Sequence, residues 1–179
     1  MSWLDIVFLV IIGLSGFRGL RAGLIHSVVS LLGVIFGVYI SVRYYSVGAD
    51  WLIAHTSWAP NLSRVLVFVI SFFLILTLMK LAFWLFERFV AVITVLPLMT
   101  TADKILGFVF GLLSAGLSLG VTIYFIERFP LSAPFMGVLA SSQIAPILSA
   151  IAGILVPLFP DALRLVKSSV DYVEGVVRP

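Results

Sequence analysis

Four apolar runs, set apart by short polar interruptions, organise this chain. They cover residues 3–20, 24–42, 65–86 and 105–126. A helix that crosses a bilayer needs about 20 mostly apolar residues, each adding about 1.5 Å against roughly 30 Å of hydrocarbon. The runs therefore predict four transmembrane helices. Asp5 and Arg18 trim the first to a clean apolar core of residues 6–17, so Arg18 has to reach the interface along its own stem. The third is interrupted only by Lys80, and the fourth carries no charge.

Between the second and third runs, residues 43–64 mix Arg43 and Arg64 with Tyr44, Tyr45, Trp51 and Trp58. Such rings favour the headgroup level, which predicts an interfacial helix there. Beyond residue 129 the pattern changes. Residues 135–159 are apolar enough for a fifth span, but Ser141, Ser142, Gln143 and Pro146 interrupt them. Proline inside a helix removes a donor and crowds the preceding turn, so broken pieces that lie on the membrane or re-enter it are expected. The tail then becomes amphipathic: Leu163, Val166, Val170, Val173 and Val177 form one stripe opposite Arg164, Lys167, Asp171 and Glu174. The reading is all-α, with a four-helix membrane domain over residues 1–129. A proline-broken interfacial segment and an amphipathic C-terminal helix follow over residues 130–179.

Composition strengthens the membrane reading. Hydrophobic residues make up 62% of the 179 and charged residues 11%, with a mean hydropathy of +1.24. A water-facing surface needs about a quarter of its residues charged, so the solvent here is largely lipid. The net charge of +3 comes from singly scattered Lys and Arg, which fits membrane interfaces and not nucleic acid. The absence of cysteine excludes disulfides and thiolate chemistry. His26 and His55 are the only histidines, and neither has a second ligand at metal spacing. No catalytic constellation stands out, so neither enzyme activity nor a metal or other cofactor is expected. Asp5 stands where a signal peptide carries positive charge, so the first run is read as retained.

Candidate chemistry is confined to small residues and isolated charges. Gly107, Gly111, Ala115, Ser118 and Thr122 share one face of the fourth run, with Gly116 and Gly120 slightly around it. Gly33 and Gly37 repeat the spacing in the second. Small residues let helix backbones approach closely, which predicts tight packing within the chain or between protomers of a homo-oligomer. Lys80 either lines a cavity or snorkels to the interface, and Asp5 either pairs with a basic residue of another span or decorates its own helix start. Thr100 and Asp103 have capping-box spacing and mark the start of the fourth helix.

Thr101-Ala102-Asp103-Lys104-Ile105-Leu106-Gly107-Phe108-Val109-Phe110-Gly111 resembles the signature of the colicin V production protein family. Trp3-Leu4-Asp5, Gly19-Leu20-Arg21-Ala22-Gly23 and Ser142-Gln143-Ile144-Ala145-Pro146 are similar to its other segments. The chain departs from the family where His26 and Ser27 replace a common acid, and where Ala115-Gly116 replaces an arginine before glycine. The resemblance implies a bacterial inner-membrane protein linked to toxin production or export. It draws Asp103, Lys104 and Arg21 into the set of functional candidates, with an envelope or export protein as a partner. Arg18 and Arg21 in the first turn, together with Arg88 and Lys104, favour a cytoplasmic turn with both termini outside. Two functions fit these features: a non-enzymatic scaffold or accessory factor, and a small transporter or channel subunit.

Overall fold

A computed structural model describes residues 2–90 and 101–153. They form five helices: α1 Trp3–His55, α2 Pro60–Val90, α3 Thr101–Arg128, α4 Ala133–Ala140 and α5 Ala145–Gly153. Three of these, α1 to α3, are long and apolar enough to cross a membrane, and the bent α4–α5 pair would make a fourth element of that kind.

The first two apolar runs are joined as α1, whose 53 residues would measure about 80 Å if straight, nearly twice a bilayer with its headgroups. The break comes at Gly23, where φ is 84° and ψ 179°. Side chains other than hydrogen essentially never allow that combination, so glycine is required. Contacts with α3 give the consequence. In the first half of α1 (residues 3–22), Gly19 lies on Gly107, while Leu4 and Phe8 share a core with Ile123. In the second half (24–55), Ser30 meets Ser114 and Tyr45 meets Phe125. Both halves therefore run from the start of α3 toward its end as they leave Gly23, and the chain reverses there.

No separate interfacial helix forms over residues 43–64. The helix of α1 continues through Tyr44, Tyr45 and Trp51 to His55, and a four-residue link leads to Pro60. Burial explains the difference: Tyr45 is enclosed by Phe125 and Phe129, with ring centroids at 5.0 and 6.0 Å, so it belongs to the core. Pro60 opens α2, a position where its missing N–H is no loss.

At this end of the bundle, Phe68 stacks on Phe125 at 3.8 Å and on Phe72 at 5.9 Å, both fully buried phenylalanines of α2 being in the cluster. Those rings tie α2 and α3 to the second half of α1. Along α2, Gly48 faces Val67, Gly37 faces Phe72 and Gly33 faces Leu76, so α2 runs antiparallel to that half. Toward the Gly23 end α2 stays on α1 and parts from α3.

The proline-rich stretch is broken: α4 and α5 meet at 92° across residues 141–144. Pro134 and Pro146 lie in the first turns of their helices, so they start these helices and do not interrupt them. Gly120 of α3 lets α5 approach until Leu148 O and Ala152 lie against its Cα. Thr100, residues 154–159 and the amphipathic stripe of residues 163–177 lie outside the described residues.

Candidate functional site

Two carboxylates hold the helix breaks, each from a distant part of the chain. Asp103 Oδ1 accepts the Leu24 N–H at 3.1 Å, capping the second half of α1 where it restarts after Gly23. The Asp103 carboxylate also occupies the space into which a Gly23 side chain would project. Asp5 is fully buried. Its Oδ2 accepts the Ser2 N–H at 2.7 Å, and its Oδ1 accepts the Ser142 hydroxyl at 2.5 Å and the N–H groups of Gln143 and Ile144 at 3.1 and 3.2 Å. The Ser142 hydroxyl in turn accepts the Ala145 N–H at 3.0 Å. A buried carboxylate surrounded by donors at a helix N-terminus is electrostatically satisfied. Asp5 thus decorates its own helix start and also bonds across the fold, to the α4–α5 break and, among the described residues, not to a basic side chain.

The small residues occupy two faces of α3. Gly107 and Gly111 lie on the first half of α1, where a Cβ on Gly111 would stand 2.7 Å from Ser15 O and one on Gly107 would overlap Gly19 O. Gly116 and Gly120 face α5. In the second half of α1, a Cβ on Gly33 would find Leu76 and Met79 at an ordinary 3.7 Å, and one on Gly37 would press on Phe72 at 3.1 Å. Ser118 donates to Ser114 O and Thr122 to Ser118 O, both at 2.8 Å, so these hydroxyls are bonded along their own helix.

Where α2 parts from α3, a cleft of about 610 Å³ opens. Its walls come from both halves of α1, from α2 and from α3. Arg18, His26 and Lys80 reach it from the first half of α1, the second half and α2 respectively. Ser15, Ser27, Ser30, Thr77, Ser114 and Ser118 add hydroxyls, and Phe73, Phe83 and Trp84 add aromatic surface. Ala115, buried beneath the cleft, and Gly19 and Gly111 keep its floor low. The His26 ring stands edge-on to Phe83 at 5.4 Å. Among the described residues, no Asp or Glu lines the cleft.

The remaining candidates lie apart from it. Arg21 places its guanidinium 4.6 Å from the centre of the Phe17 ring, and Lys104 is exposed beside Asp103. Among the described residues, no group of three or more His, Asp or Glu could hold a metal ion. Sequence reasoning singled out Lys80, read Ser118 as a helix-packing residue, and gave His26 and the other hydroxyls no role. A signal existed in the spacing: Ser15 and Arg18, Ser27 and Ser30, Thr77 and Lys80, and Ser114 and Ser118 each recur three or four residues apart, on one helix face.

A family model of colicin V production proteins matches residues 4–153. The chain belongs to the colicin V production protein family. The match takes in α2 to α5, all of α1 but Trp3, and both capping carboxylates. No curated protein and no solved structure matches this colicin V production family member.

Proposed function

We propose that this colicin V production family protein is a non-enzymatic, multi-pass component of the bacterial inner membrane. It serves toxin production or export and envelope processes, and it works through the cleft as a transport-type subunit. One observation carries the reading: Arg18, His26 and Lys80 converge on a single cleft, walled by apolar helices, with no acid lining it among the described residues. Basic side chains among membrane-spanning helices are costly unless they meet water or a partner, and they mark a pathway or binding site where they gather. The bent α4–α5 pair supports the same reading, since non-helical backbone at membrane depth belongs where protein or a cavity surrounds it.

In the bilayer, each half of α1 crosses once, so that α1, α2 and α3 supply four spans. Arg18, Arg21, Arg88 and Lys104 then cluster at the Gly23 end, which faces the cytoplasm. The scaffold alternative drew on the small-residue stripe, as packing within the chain or between protomers, together with the amphipathic tail and the family resemblance. Gly107, Gly111 and Gly120 are already occupied by α1 and α5 of the same chain, which weakens the motive for packing between protomers.

The test is flux through proteoliposomes loaded with potassium chloride and, separately, carboxyfluorescein. Release above that of empty vesicles, reduced by Lys80→Ala, is the expected result. Silence of both proteins toward every solute would remove the transport reading and return the scaffold.

A further inference from the structure

We infer that the cleft binds a phosphate-class oxyanion, carried on a membrane lipid or free, and that Arg18, His26 and Lys80 recognise it. This rests on the cleft being the working part of the protein and adds the class of its ligand.

The three side chains come from stretches far apart in sequence, yet they end on one cavity. Arg18 and Lys80 bring two cationic side chains to a cleft walled by apolar helices, and an anion bound there gains from both. Three of the described acids are engaged elsewhere. Asp5 holds the α4–α5 break, Asp103 caps Leu24, and Glu127 accepts the Ser149 hydroxyl at 2.5 Å. The lining also favours an oxyanion over a simple halide. A guanidinium fork matches paired oxygens, and Ser30 and Ser114, whose hydroxyls share a hydrogen bond at 3.0 Å, leave one hydroxyl hydrogen to donate to an anion. A volume of about 610 Å³ is far more than one phosphate needs and falls within the ordinary size of small-molecule pockets. The surplus is lined by Phe73, Phe83 and Trp84, which suits an apolar body attached to the anion.

Native mass spectrometry of the full chain, in neutral detergent, tests this with phosphatidylglycerol, phosphatidylcholine and inorganic phosphate as probes. Phosphatidylglycerol is expected to be retained over phosphatidylcholine, with about tenfold weaker retention in Arg18→Gln and Lys80→Gln, as loss of a charged hydrogen-bond partner implies. Arg21→Gln, outside the cleft, should match the parent. Inorganic phosphate that binds alone with the same dependence would identify the free anion as the source; phosphate that neither binds nor competes would identify the lipid.

Because the chain has no cysteine, Ser15→Cys supplies a second readout that keeps all three basic groups. Phosphatidylglycerol or phosphate should slow its alkylation, and phosphatidylcholine should not. Equal retention of every probe by parent and charge variants, with no protection of Ser15→Cys, would overturn the inference. Solute flux that persists in that case would leave the transport reading standing, whereas anion binding without flux would remove transport and keep the ligand.

Discussion

Replacing Gly107 with alanine adds one methyl group where α3 crosses the first half of α1. That Cβ would overlap Gly19 O and stand 2.7 Å from Gly23 C and 2.9 Å from Gly23 O. Ordinary contact between such atoms needs about 3.5 Å, so the backbones must part locally by about 1 Å. All three obstacles are backbone, and none can rotate away. They also belong to the reversal that the Asp103–Leu24 bond holds in place. Overpacking of this kind costs about 1–3 kcal/mol, and backbone obstacles put this site near the top of that range. Alanine recovers roughly 1 kcal/mol through its better helix propensity. The expected net loss is about 2 kcal/mol, close to a thirtyfold fall in the ratio of folded to unfolded protein.

Gly116→Ala is the matched control, because its Cβ would meet only Leu148, at 3.8 Å. It should be neutral or stabilising by up to about 1 kcal/mol. Equilibrium unfolding in mixed micelles, followed by the fluorescence of the four tryptophans, measures both variants. A Gly107→Ala protein as stable as its parent would refute the close-approach argument, as would a Gly116→Ala protein that loses as much.

Three other expectations follow from the same geometry. Gly23→Ala forces a side chain into a glycine-only conformation and into the Asp103 carboxylate; it should cost about 3 kcal/mol, against little change for Gly13→Ala, which has open space around it, in the same unfolding assay. Asp5→Ala leaves the buried Ser142 hydroxyl and the Gln143 and Ile144 N–H groups without their acceptor, a loss of roughly 3 kcal/mol or more; in a Gln143→Cys background it should speed maleimide labelling, and an unchanged rate would argue against the pin. The fully buried Ser41 hydroxyl has no partner among the described residues, so Ser41→Ala should stabilise the protein by about 1 kcal/mol, and a destabilised variant would show that the hydroxyl is bonded.

The sequence by itself determined that this is an all-helical membrane protein. Its four runs of about bilayer length, sparse charges and missing cysteine decide that through composition and periodicity, which are local quantities. It also marked the positions where backbones touch, because only glycine tolerates them: Gly107 and Gly111 are legible as a four-residue spacing before any partner is known. What the spacing could not name was the partner. That the stripe meets Gly19 and the Gly23 turn, and not a second copy, depends on the chain reversing at one residue with φ of 84°. Tyr45 shows the same limit: an aromatic residue near arginines reads as interfacial until Phe125 and Phe129 enclose it. Asp5 and Asp103 look like helix-start residues, and their longer reach, to residues 142–144 and to Leu24, spans separations no local pattern encodes. The cleft is the extreme case. Arg18 and Lys80 read as isolated charges on their own helices and His26 as a lone histidine, and only the parting of α2 from α3 brings the three side chains to one cleft. Contacts between helices are set by how faces fit across the bundle, and that information appears only when every helix is in position.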